Sequence, residues 1–143
     1  MAEFVMRDLA RKRGMGHALL TASASTHDDE IGSPVHPGTR RVLAEVGIFC
    51  DGKTARRLRR ADAGEWDLFV GMDEANLRDM RRQLGREAAE RCVKLLEFAG
   101  SDRDVADPWY TGDFETTYDD VVAGCTGILA WLEADARVRA SCS

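Results

Sequence analysis

Asp67-Leu68-Phe69-Val70-Gly71-Met72-Asp73-Glu74-Ala75-Asn76-Leu77-Arg78-Asp79-Met80-Arg81-Arg82-Gln83 is the stretch that decides the fold. Its first six residues form a nearly continuous apolar run between polar flanks, the pattern of a strand covered on both faces. Asp73 then stands where a helix N-cap belongs, and Leu77 and Met80 fall on one face of a helix running through Gln83. A strand that passes directly into a helix, with further strands and helices alternating on either side, builds an α/β sandwich with a parallel sheet.

Upstream of this stretch, Phe4, Val5, Met6 and Leu9 lie at helical spacing within Ala2 to Arg13, with Arg7, Arg11, Lys12 and Arg13 mostly opposite them. Gly14 and Gly16 end that helix, while no Ser, Thr, Asp or Asn caps its start. Ala18 to Ala22 reads as a short strand and Ser23 to Ser33 as a loop. Pro37 suits the first turn of a helix through Val46, which buries Val42, Leu43 and Val46 and stops at Gly47. Downstream, Glu87 to Phe98 fits two patterns: Ala88, Ala89, Cys92, Leu95 and Leu96 suit a helix, and Cys92 to Leu96 suits a strand. Phe114, Tyr118, Val121, Val122, Cys125, Ile128, Leu129 and Leu132 then recur at the spacing of one long amphipathic helix.

The 143 residues suit one domain, which buries about two-thirds of the surface its unfolded chain exposes. Twenty basic and twenty-five acidic residues give a net charge of -5, which favours neither nucleic acid nor an acidic membrane as a partner. Arg56, Arg57, Arg59 and Arg60 form a local basic cluster, but Asp51, Asp62 and Glu65 flank it and make a solvated mixed-charge turn. Cys50, Cys92, Cys125 and Cys142 are widely spaced, without a Cys-x-x-Cys pair or histidines at metal-ligand distance, so free thiols in a cytoplasmic chain without metal or cofactor are expected. No run approaches the ~18 apolar residues that cross a bilayer.

Asp107-Pro108-Trp109-Tyr110, just before the long helix, sets a carboxylic acid beside two large rings. That combination suits a site that grips a phenyl ring and protonates its leaving oxygen, although Asp-Pro is also a plain turn signal. Together with Ser23-Ala24-Ser25-Thr26, Glu30-Ile31-Gly32-Ser33-Pro34, Ala55-Arg56-Arg57-Leu58 and Met72-Asp73-Glu74-Ala75-Asn76-Leu77, it resembles the low-molecular-weight protein tyrosine phosphatases, in order from Met1 to about Leu132. The resemblance implies a three-layer sandwich of the phosphotyrosine phosphatase I type and favours a strand from Val93. It also implies hydrolysis of phosphomonoesters through a cysteinyl phosphate, on phosphotyrosine proteins or aryl phosphates. That family opens with a strand and a Cys-x-x-x-x-x-Arg-Ser phosphate loop ahead of the helix that begins here at Met1. An N-terminally incomplete domain without its first strand or nucleophile is therefore expected, inactive as given.

By the same resemblance Asp107 is the general acid and then the base that activates water, and Trp109 and Tyr110 line the ring slot. Asp29 falls where a bulky wall residue is usual. Ser23 falls where a serine supports the phosphate loop. Cys50-Asp51-Gly52-Lys53-Thr54-Ala55-Arg56 also has the spacing Cys, five residues, Arg. Asp51 would stand beside a phosphate there, and Arg57 replaces the usual hydroxyl residue, so Cys50 reads as a small buried thiol. The alternative function is a non-catalytic module that binds an acidic or phosphorylated partner. Loss of a central strand would expose a sheet edge, through which a homodimer is expected to form.

Overall fold

A computed structural model describes residues 1–16, 19–26, 35–50 and 56–142, with residues 109, 110 and 135–142 described by their backbone. The Asp67 to Gln83 stretch folds as its pattern requires. Strand β1, Phe69–Gly71, passes through Met72 and Asp73 into helix α3, Glu74–Leu84, numbered third after the two helices that precede it in the chain. The Asp73 carboxylate accepts the Asn76 N–H at 2.7 Å, which satisfies one of the donors a helix start leaves open. Gly85 ends the helix at φ 88°, a conformation costly to any residue with a Cβ.

Helix α1, Ala2–Lys12, starts at Met1 without a side-chain cap. Helix α2, Pro37–Glu45, follows, with the His36 ring accepting the Gly38 N–H at 3.0 Å. Val42 and Leu43 are buried as expected, but Val46 lies past the last turn and is 44% exposed. Residues 19–24 form no strand, so the strand expected at Ala18–Ala22 is corrected over its described part. Pairing is deferred to Ser25, which makes an isolated parallel bridge with Arg57. The physical reason is that Leu19 to Ala24 find no backbone hydrogen-bond partner among the described residues.

The ambiguous segment resolves into both of its readings. Arg86–Ala89 forms a single helical turn, α4, and Cys92–Lys94 forms strand β2. Strand β2 runs parallel to β1, with Phe69 opposite Cys92 and Gly71 opposite Lys94. The sheet among the described residues is this two-stranded pair, smaller than the sandwich sheet expected. A 3-10 turn over Leu95–Ala99, a short helix α5 over Pro108–Thr111 and the long helix α6, Phe114–Cys142, complete the order.

Two apolar clusters hold these elements. In the larger, Val5, Met6 and Ala10 of α1 meet Val121, Cys125, Ile128 and Leu129 of α6, with Leu43, Leu95, Leu96 and Val105 around them. In the smaller, Leu77, Met80 and Leu84 of α3 cover Phe69 and Cys92. Each large aliphatic side chain fully buried this way contributes about 1.5–3 kcal/mol, which is why the α6 stripe is so legible. Helix α6 lies so close to the 3-10 turn that only glycine fits at two positions. A Cβ on Gly124 would stand 2.3 Å from Leu95 Cγ, and one on Gly127 would stand 2.0 Å from the Phe98 carbonyl oxygen.

Candidate functional site: the Asp107 loop

The parallel strands end together, and the chain that leads to Asp107 is fastened to those ends. The backbone N–H of Val105 donates to the Met72 carbonyl at 2.8 Å, and the Val105 side chain is buried. The Asp104 carboxylate accepts the Glu74 N–H at 3.2 Å, at the start of α3 where open amides favour an anion. Thr117 of α6 donates its hydroxyl to the Ala106 carbonyl at 3.1 Å. Arg103 makes a two-pronged pair with Asp120 of α6, at 3.0 and 2.9 Å. Lys94, at the end of β2, donates to Asp104 at 3.0 Å, lies 3.1 Å from Glu74 Oε1 and also donates to the Asp102 carbonyl.

Asp107 follows at once and is solvent-exposed. Its carbonyl accepts the Thr111 N–H at 3.3 Å, and Pro108 opens α5 as a proline can at a helix start. Gly112, at φ 71°, closes the turn with its N–H 2.7 Å from the Pro108 carbonyl. Asp113 then caps α6 through the Thr116 hydroxyl and N–H, at 2.6 and 3.0 Å. Those bonds, the hydroxyl first, hold its carboxyl below the ordinary value of 3.8.

The expected site residues divide unevenly. Trp109 and Tyr110 belong to the backbone of α5, directly after Asp107, and their side chains lie outside the described residues. Asp29 also lies outside them. Ser23 donates its hydroxyl to Glu3 Oε1 at 2.8 Å, and the other oxygen of Glu3 accepts Arg7 at the same distance. Glu3 is buried in the first turn of α1 and went unread in the sequence, because one acid beside Phe4, Val5 and Met6 looks like an ordinary helix start. Lys94 was also missed. Its signal was present as the single charge inside Cys92-Val93-Lys94-Leu95-Leu96.

The structure describes the two ends of the Cys50–Arg56 spacing. Cys50 is buried in the larger apolar cluster, and Arg56 begins no helix. Its guanidinium is held by Asp62, 1% exposed, at 3.2 and 3.4 Å, and by the Arg57 carbonyl. Burial pushes the Asp62 carboxyl up, but bonds from the Arg59 N–H and from Arg56 outweigh it and leave the group below its ordinary value. Residues 51–55 lie outside the described residues. Burial drives the other two described thiols away from ionisation, raising Cys92 and taking Cys125 up to about 12. These two occupy different apolar clusters.

Comparisons with known proteins give the family. The pattern of the low molecular weight phosphotyrosine protein phosphatases matches residues 1–138. The chain belongs to that family. Among relatives of this phosphatase-family chain, the low molecular weight protein-tyrosine-phosphatase YfkJ of Bacillus subtilis is 34% identical over 140 residues, across 96% of this chain and 90% of that protein. PtpA of Staphylococcus aureus is 31% identical over 140 residues, covering 97% and 88% of the two. The crystal structure of YfkJ superposes with a TM-score of 0.89 over 94% of this chain and 86% of that one. Among the described residues, no helix of the phosphatase-family chain is long and apolar enough to cross a membrane, and no group of three His, Cys, Asp or Glu could hold a metal ion.

Proposed function

We propose that these residues form the proton-transferring part of a phosphotyrosine phosphatase site, and that the 143-residue chain by itself does not hydrolyse aryl phosphates. The observation that carries this is the pairing of an exposed acid on a firmly braced loop with an arginine that is already spent. Asp107 is solvent-exposed, and residues 102–106 before it are each tied down. The one Cys-x-x-x-x-x-Arg spacing in the sequence has its arginine locked onto Asp62. Family membership supplies the chemical setting.

In that chemistry the bond between phosphorus and the phenolic oxygen breaks as phosphorus bonds to a thiolate. Asp107 gives its proton to the departing oxygen, so that phenol rather than phenolate leaves. The resulting carboxylate then takes a proton from water as that water attacks the cysteinyl phosphate. By the family resemblance Trp109 and Tyr110 line the slot for the substrate ring, Asp29 takes a wall position of that slot, and Ser23 supports the phosphate loop. The substrate is a phosphotyrosine protein or a smaller aryl phosphate. The chemistry needs a thiolate and an anion cradle, and one acid replaces neither.

The test is phenyl phosphate hydrolysis by the purified 143-residue chain. Turnover should stay at the level of buffer, in the parent and in Cys50→Ser and Asp107→Asn alike. Turnover lost in Asp107→Asn and intact in Cys50→Ser would overturn the proposal.

A second reading, a non-catalytic module that pairs with another copy or binds an acidic partner, draws on the open side of β1. Among the described residues β1 has a strand on one side only, and Leu20 is 86% exposed. The two readings part on a chain carrying a strand and a Cys-x-x-x-x-x-Arg-Ser loop ahead of Met1. The phosphatase reading expects this extended chain to gain turnover. The module reading expects none.

A further inference from the structure

We propose that Lys94 is a positioning residue for the acid, fixing where Asp107 stands by gathering the loop before it onto the end of the sheet. The inference rests on the acid role proposed for Asp107. Lys94 is 5% exposed although it carries a charge, and lysine is rarely buried unless paired. An ammonium has three N–H donors, and this one meets three acceptors: the Asp102 carbonyl, Asp104 Oδ1 and Glu74 Oε1. Two of the three lie on the loop, three and five residues before Asp107. The third begins α3. Asp104 is itself shared, accepting the Glu74 N–H as well, so one ammonium and one carboxylate lock the loop to both the strand end and the helix start.

A buried ion pair is a poor device for raw stability, because desolvation offsets most of the attraction and an apolar side chain of similar size often serves as well. What such a group specifies well is geometry. The other braces are single fastenings of one loop residue each: Arg103 to Asp120, Val105 to Met72 and Ala106 to Thr117. Lys94 alone among them reaches two loop residues from inside the sheet, opposite Gly71 in the parallel register. Asp104, then Glu74, raises the Lys94 ammonium above the ordinary value of 10.5, against the opposing effect of burial. A raised lysine keeps its contribution below its ordinary pKa and loses it as pH climbs through the raised one. The clamp is therefore closed throughout the neutral range.

Lys94→Met keeps the length and apolar body of the side chain and removes the charge. It leaves Glu74 and Asp104, both substantially exposed, to be rehydrated. Asp104→Asn weakens the same clamp from the surface and serves as the second variant should Lys94→Met fold poorly. In the 143-residue chain, hydrogen exchange at the Val105 amide should quicken on the order of tenfold in either variant, with Val121 in α6 unchanged. Lys94→Arg should recover part of the protection.

In the extended chain, Lys94→Met should lower kcat on phenyl phosphate on the order of tenfold. It should lower kcat/KM far less on p-nitrophenyl phosphate than on phenyl phosphate, because that ratio reports the leaving-group step and this leaving group needs little proton donation. A merely structural lysine would lower both rates together. Adding Lys94→Met to Asp107→Asn should cost nothing further, since both act through one proton. Unchanged exchange at Val105 in both variants overturns the clamp. Loss of activity in Asp107→Asn with the substrate ratio of Lys94→Met unmoved overturns its positioning role alone. An unchanged kcat in Asp107→Asn overturns the acid reading beneath it.

Discussion

Asp107→Asn lowers kcat on phenyl phosphate by about a hundred- to ten-thousand-fold in the extended chain. Asparagine has nearly the same shape, and the fastenings before position 107 belong to residues 102–106, so the loop keeps its place. What disappears is a proton that can be transferred. A phenol of the tyrosine type has a pKa of about 10, so its oxygen leaves poorly as the anion and benefits most from protonation. The second step suffers too, because an amide cannot take the proton of the attacking water. KM should hold, since the lost interaction belongs to the transition state. Steady-state kinetics across neutral pH checks this, and an unchanged kcat would locate the donor elsewhere.

Gly127→Ala destabilises the fold by about 1–3 kcal/mol or more, the cost of forcing extra volume into a packed contact. Removing a glycine from a helix interior ordinarily gains up to about 1 kcal/mol, so the sign depends on space. Space is absent here. The new Cβ would lie 2.0 Å from the Phe98 carbonyl oxygen and 2.6 Å from its carbon, both backbone atoms that cannot swing aside. Helix α6 would have to lift from the Leu95–Ala99 turn, and Ile128 and Leu129 would lose their burial with it. Gly64→Ala is the control, since nothing lies within 4 Å of its added carbon. Urea midpoints should fall clearly for Gly127→Ala and stay close to the parent for Gly64→Ala.

The parts of the fold legible in the sequence are those set by neighbours along the chain. Asp73 announced the start of α3 because its carboxylate needs only Asn76, three residues away. The stripe from Phe114 to Leu132 announced α6 because period and burial coincide. Where distant partners decide, the pattern fell short. Ala18 to Ala22 have the composition of a strand, yet a strand exists only when a ladder partner stands beside it, and Leu19 to Ala22 have none among the described residues. The Leu95–Ala99 turn was invisible because its close approach to Gly124 and Gly127 spans nearly thirty residues. Val46 looked like part of the α2 face and lies one residue beyond its end.

The candidate site divides the same way. The proposal of Asp107 came from the sequence, since an acid before Pro-Trp-Tyr and a long helix is a compact local signal. Its supports did not, because Lys94, Met72 and the pair Thr117 and Asp120 come from three separate segments. Cys50 had the spacing of a nucleophile but read as a buried thiol, because Asp51 and Arg57 do not suit a phosphate loop. The fold buries the thiol and binds Arg56 to Asp62, a pairing the intervening sequence does not foretell.

The most direct measurement of the central claim, that this chain holds the proton donor of a phosphatase site and no nucleophile of its own, is a search for the covalent intermediate. The 143-residue chain is incubated with an excess of aryl phosphate, quenched in acid and mapped by mass spectrometry across its four cysteines. The account predicts no phosphoryl group on any of them, and a trapped cysteinyl phosphate in the extended chain. A phosphoryl group on Cys50 of the unextended chain contradicts it.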